Sequence, residues 1–266
     1  MTSHEGREGL MKIPRAFVLL ATLVPILPAA SQTIPNVHCS KKALLTAKDV
    51  AFWSDTRAGV FFYQAGLAID ADGAFRAYHP SDRLGLDSLN HAGHPGNWWA
   101  LVTDSGKPSG HPLLQRKSDP APGFYVSTTA LYDPRNPNPR DPHRYVDAAN
   151  IPYVVLHPDA LRHAHLGDFA TVVNLQNGKT SAAIVADQSG PDLPVGEGSI
   201  ALAKRLRIAS DPRRGGKEEA VIVYVIYPGS GNGKPRPLRD IVANSNHLFK
   251  SFGGRTALNA CLAPPL

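Results

Sequence analysis

The sequence predicts a mainly β (α+β) single domain with helices added late in the chain, and three observations predict it. Short runs rich in β-branched and aromatic residues recur between residues 60 and 227. The 24 Pro and 23 Gly are spread along all 266 residues rather than gathered in one tract, and helical periodicity appears only after residue 199. That composition suits a loop-rich β protein better than a helical bundle or a disordered chain. With 42% hydrophobic residues the chain can bury one large core, and no internal repeat divides it.

The N-terminus reads as an export signal over residues 1–31. Lys12 and Arg15 precede an apolar run at 16–27, and Ala29-Ala30-Ser31 supplies the small residues a signal peptidase needs. About twelve apolar residues broken by Pro25 are too few to span the roughly 30 Å hydrocarbon layer. Cleavage is therefore expected, leaving residues 32–266 as one secreted domain, extracellular or periplasmic, with no membrane contact. Met11 is an alternative start. The two cysteines, Cys39 and Cys261, are expected to pair in an exported chain and join its ends. Closing so long a loop stabilises by roughly 5 kcal/mol in the chain-entropy model.

Strand signals follow at 60–65 and 67–69, then an Asp72-Gly73 turn and a return at 74–78, which together predict a hairpin. Further strands are expected at 98–103, 124–129, 153–156, 169–173 and 182–186. The stretch "DPRNPNPRDPHR" (133–144) has four prolines in twelve residues and reads as a surface excursion within the domain. Seven apolar residues at 221–227 predict a strand buried on both faces. Ser199 is placed to cap a helix over "IALAKRLRIA", and "LRDIVANSNHLFKSF" predicts a second one ending at Gly253.

The stretch "AIVADQSGPDLPVGEGS" (183–199) carries the chemistry. After the leader the chain has three Glu, and Glu218 and Glu219 stand together in a charged segment, whereas Glu197 is alone among glycines. A strand at 182–186 delivers Asp187 at its end, and the Gly- and Pro-rich connector turns often enough to bring Glu197 back to within about 10 Å, although ten extended residues reach about 33 Å. Two facing carboxyls, one protonated and one ionised, are what an inverting glycosidase uses at roughly 6.5–9.5 Å. From spacing alone the simpler reading is structural: Asp187 caps a turn and Glu197 answers a helix dipole.

Six segments in order, "YQAGLAIDADGAFRAYHP", "GLDSLNHAGHPGNWWALVTD", "DPAPGFYVSTTALYD", "RYVDAANIPYVVL", "LGDFATVVN" and "AAIVADQSGPDLPVGEGSIALAKRL", cover most of the mature chain. Together they resemble bacterial members of glycoside hydrolase family 75, the fungal-type chitosanases. The resemblance implies that Asp187 and Glu197 are the catalytic pair, and that the reaction is endo-hydrolysis of β-1,4-linked glucosamine polymers with inversion, without metal or other cofactor. The Gly-Asp, Ala-Asp-x-x-Gly-Pro and Gly-Glu segments are also similar to a six-stranded double-psi-like β-barrel, here with peripheral helices and long loops.

Chitosan is a polycation, so a chain of net charge +6 needs a locally acidic cleft to bind it. Asp70, Asp72, Asp82, Asp87 and Asp104 are the acids that would supply one beside Asp187 and Glu197. Asp70 and Asp72 read first as turn residues and second as ligands for substrate ammonium groups. Trp98 and Trp99 are adjacent, so on a strand they face opposite ways and one of them can offer a flat surface to a sugar ring. Tyr63 and Tyr78 read as structural.

Other chemistries find weak support. Asp70-x-Asp72-Gly73 fails as a calcium loop because Gly stands fourth and Ser81 twelfth. His163-Ala-His165 with Asp168 lacks a zinc-protease motif, no Gly-x-Ser-x-Gly elbow exists, and "GSGNGK" (229–234) lacks phosphate-loop spacing. Lys204, Arg205 and Arg207 read as the solvated face of a short helix with no interleaved aromatics, so nucleic acid is not an expected partner. A monomer acting on a polysaccharide is expected. A non-catalytic carbohydrate-binding or wall-loosening barrel module is the alternative from another class, and a peptidoglycan-cleaving barrel enzyme is a third.

Overall fold

The computed structural model describes residues 39–263, so the leader expected at 1–31 lies outside the described residues. Strands β1 (Lys41–Ala47) and β2 (Val50–Asp55) form an antiparallel hairpin. Its two turn residues, Lys48 and Asp49, both have positive φ. That turn geometry matches strand twist. Because neither residue is Gly or Asn, nothing in the local pattern marks the hairpin, and the sequence reading missed it.

Six further strands close a barrel: β3 (Val60–Asp70), β4 (Tyr153–Leu156), β5 (Phe169–Asn174), β6 (Thr180–Gln188), β7 (Glu197–Ser199) and β8 (Lys217–Ile226). Their order is β3-β7-β4-β6-β5-β8, and β8 pairs back onto β3. The pairs β3–β7 and β4–β6 are parallel and the others antiparallel, in agreement with the double-psi-like barrel expected. Every residue of β4 and β5 is buried, as are Ile222 to Ile226 of β8. Each Val, Leu or Ile so enclosed stabilises the barrel by about 1.5–3 kcal/mol.

Helices cover the outside. Ser199 caps α1 (Ile200–Arg205): its hydroxyl accepts from Leu202 N–H and from Tyr153 N–H and donates to the Ile151 carbonyl. This buried serine therefore ties helix, β7 and β4 together. α2 (Leu238–Phe252) ends on left-handed Gly253, as expected, and its Ser245 donates to the Ala183 carbonyl of β6. α3 (Gly254–Leu262) follows at once and carries Cys261, which is joined to Cys39. The expected disulfide thus fastens the last helix to the residues preceding β1. Among the described residues no helix is long and apolar enough to cross a membrane.

Two expectations about strands fail. The hairpin at 72–73 does not form: β3 continues to Asp70, and its final residues pair with β7 instead of with residues 74–78. Asp72-Gly73 is instead a tight turn in which Asp70 accepts from Asp72 N–H at 2.7 Å. Gly73 has φ +74°, and a Cβ there would stand 2.1 Å from the Val146 carbonyl oxygen. Residues 98–103 and 124–129 do not form a ladder either, and meet through the one isolated bridge of Leu101 with Ser127.

Candidate active site

Strand register builds the site. Glu197 pairs with Ala68 on one side and Val155 on the other, and Val155 pairs with Asp187 across a bulge. The two acids therefore stand two strand spacings apart, about 10 Å between backbones, with one residue of β4 between them. Asp70 lies two residues beyond Ala68 on the neighbouring strand. The turn that brings Glu197 into this row depends on Gly196 (φ +103°), where a Cβ would approach the Gly66 carbonyl oxygen to 2.6 Å.

Asp187 and Glu197 line one cavity of about 480 Å³ together with Asp70, Asp72, Asp87, Tyr78, His91, Trp99, Leu193 and Arg213. Carboxylate oxygens of Asp70, Asp72 and Asp187 all lie within 4.8 Å of one another. Three carboxylates that close together attract a cation, and a substrate ammonium group or a hard metal ion would answer the same field.

Each acid has a distinct environment. Asp187 accepts from the Gln188 N–H at 2.8 Å and the Ala130 N–H at 3.2 Å. Burial, and then the charge of Asp70, nonetheless hold it well above the usual carboxylate range. The Glu197 carboxyl has no hydrogen-bond partner among the described residues. Burial, followed by the charges of Asp70, Asp187 and Asp87, raises it well above its ordinary value. Asp72 is also raised, by burial and then by Asp70 and Asp187, although the Tyr78 hydroxyl donates to it at 2.7 Å. Asp70, 7% exposed, is pushed up to about 6, mainly by burial. The Tyr153 hydroxyl beside it donates to the Asp72 carbonyl at 3.0 Å.

The remaining wall comes from residues 82–99. Asp87 is 3% exposed and faces His91 Nδ1 through both oxygens, at 2.9 and 3.0 Å. Trp99 is 55% exposed, and its indole N–H is anchored on the His91 carbonyl at 2.9 Å, so the ring is held while its surface stays open. Trp98 packs partly buried against the core. One tryptophan packs inward and the other is exposed, and they do so outside any strand.

Of the acids expected in the cleft, Asp70, Asp72 and Asp87 are there with Asp187 and Glu197. Asp82 is drawn to the Arg213 guanidinium at 2.9 Å, which with the Leu89 N–H holds it below the usual carboxylate range. Asp104 is not among the cavity residues and pairs with His111. Tyr63 and Tyr78 are both buried. Asp168, near His163 and His165, is a buried turn cap that accepts from the Gly229, Gly231 and His165 N–H groups. The sequence reading missed His91 and Arg213, and gave Tyr78 no part beside an acid. Arg213 acts on a segment more than a hundred residues away, which no local pattern announces, whereas His91 and Tyr78 meet acids only four and six residues away. No protein-family model matches the chain, and no curated protein matches it.

Proposed function

We propose that this protein is an exported endo-acting glycoside hydrolase that cleaves β-1,4-linked glucosamine polymers with inversion. The observation that carries the reading is the joint placement of Asp187 and Glu197 in one acidic cavity with an anchored, exposed tryptophan on its wall. Crowding buried carboxylates costs stability, because each raises the next. A binding module with one carboxylate or none would have no reason to bear that cost.

The environments support a division of labour. Glu197, with no protein group to stabilise its anion, keeps its proton most readily and is the general acid to the leaving glycosidic oxygen. Asp187, whose anion accepts two backbone N–H groups, is the base that takes a proton from water as that water attacks the anomeric carbon. A separation of two strand spacings leaves room for that water. Asp70, Asp72 and Asp87 supply the negative field that draws ammonium groups into the cleft of a chain whose net charge is +6.

Incubating the mature protein with chitosan, cellulose and peptidoglycan and measuring new reducing ends tests the proposal. Release from chitosan is expected, with the first product formed as the opposite anomer. Release from peptidoglycan alone, or from none of the three, refutes it.

A further inference from the structure

Arg213 reaches the cavity with both of its terminal nitrogens already engaged by the protein. Its Nη1 donates to Asp82 Oδ2 at 2.9 Å and Ser88 Oγ at 3.0 Å, and its Nη2 donates to the carbonyls of Asp82 and Asp87, both at 2.6 Å. A weaker contact reaches the Gly85 carbonyl at 3.4 Å. All of these acceptors lie in one short segment, more than a hundred residues earlier in the chain. A planar guanidinium is suited to this because its donors diverge in a fixed fork, which an ammonium cannot imitate.

The two segments it joins carry opposite parts of the site. Arg213 lies in the connection that leaves α1, whose N-cap follows Glu197 by two residues. Residues 82–91 carry the Asp87 carboxylate and His91, and through the His91 carbonyl they hold Trp99. The connection itself is tightly packed, with the Gly216 N–H donating to the Ala209 carbonyl at 2.7 Å. No regular strand or helix links residues 82–91 to the barrel near Glu197, so the arginine takes that part.

We propose that Arg213 is a positioning residue that clamps the 82–91 wall beside the Glu197 segment, and so fixes Asp87 and Trp99 at the spacing that a hexosamine unit of the polymer requires. This rests on the hydrolase reading above. The clamp acts first on substrate binding, because none of its bonds reaches Asp187 or Glu197 and its one link to the pair is the Asp87 charge that helps to raise Glu197.

Three measurements on the full mature protein test it. In Arg213→Ala, amide hydrogen exchange over residues 82–91 should rise while the barrel strands stay protected. The KM for chitosan should rise by about tenfold with kcat within about twofold. Arg213→Lys, which keeps the charge but not the fork, should fall between Arg213→Ala and wild type, and Asp82→Asn should show part of the same KM rise if the alanine variant does not fold. Unchanged exchange overturns the clamp; faster exchange without a change in KM overturns its role in binding. A shifted pH profile at constant KM means that the residue acts on the catalytic pair, which also overturns the proposal. If wild type releases nothing from chitosan, the hydrolase reading fails, while the exchange arm still decides whether the clamp exists.

Discussion

The barrel and the segment between β3 and β4, residues 71–152, hold their shapes by different physics. Barrel strands are ladders of backbone hydrogen bonds whose side chains fill an apolar interior. The intervening segment has no strand or α-helix, yet its backbone is pinned at short intervals by side chains. Asp133, Asn136, Asn138, Asp141 and Asp147 each accept from the backbone N–H two residues ahead, which makes a chain of small turns. The division matches the proposed function. The barrel supplies Asp187 and Glu197 from rigid strands, and the looped segment supplies Asp72, Asp87 and Trp99 as the walls of the cleft.

If that division is right, the largest losses of activity come from the barrel acids. Asp187→Asn and Glu197→Gln are each expected to lower kcat on chitosan by about 10²–10⁴-fold, the range for a general acid or base, with circular dichroism unchanged. Loss confined to one of the two would leave the cavity with a single catalytic carboxylate and break the two-acid reading.

Stability should divide the same way. Ile184, fully buried on β6, is expected to cost about 2–5 kcal/mol when changed to Ala, by transfer and cavity terms together. Asn138→Ala, which removes one exposed turn bond, should cost about 1 kcal/mol or less. Urea denaturation of both variants checks the contrast, and equal losses would mean that the looped segment is as integral to the core as the barrel.

The same contrast explains what could be read from the sequence. Residues 153–156, 169–173, 182–186 and 221–227 were legible as strands because a barrel buries continuous apolar runs, and Ser199 and Gly253 were legible because caps need particular residue types. Asp187 and Glu197 stood out by position, the one at a strand end and the other between glycines. Trp98-Thr103 and Phe124-Thr129 carry strand-like residues, yet turns and caps override that preference in the looped segment, where burial rather than pairing fixes each residue. The Asp87–His91 pair, four residues apart, was within reach of the sequence, but Arg213 was not, since its partners lie more than a hundred residues away and only the closed fold brings them near. The same holds for the turn at Lys48 and Asp49, where register overrides residue preference.

Asp70 sharpens the comparison through pH, since it sits where the two regions join. Its carboxyl is raised from an ordinary 3.8 to about 6 in the folded protein, so the folded state holds this proton more tightly than the unfolded chain does. The stabilising contribution is therefore complete below about pH 4 and is lost as pH rises through 6, a change on the order of 3 kcal/mol. Asp70→Asn cannot ionise but can still accept the Asp72 N–H. It should melt above wild type at pH 7 and close to it at pH 4, and a gap that is the same at both pH values would show that charge crowding is not what strains the site.

The smallest expected effect belongs to Trp99. Its ring is more than half exposed, so Trp99→Ala removes little packing, and the melting temperature should barely move. What it does remove is a large flat surface already fixed in orientation by its bond to the His91 carbonyl, so a sugar ring that lies on it meets a platform with little entropy left to lose. An aromatic contact of that kind contributes on the order of 1 kcal/mol, which is about a fivefold rise in KM. Trp99→Phe should recover part of the loss by restoring an aromatic face, though without the indole N–H to hold it. If KM stays at the wild-type value in the alanine variant, substrate does not run along this wall, and the looped segment serves to shield the acids rather than to seat the polymer.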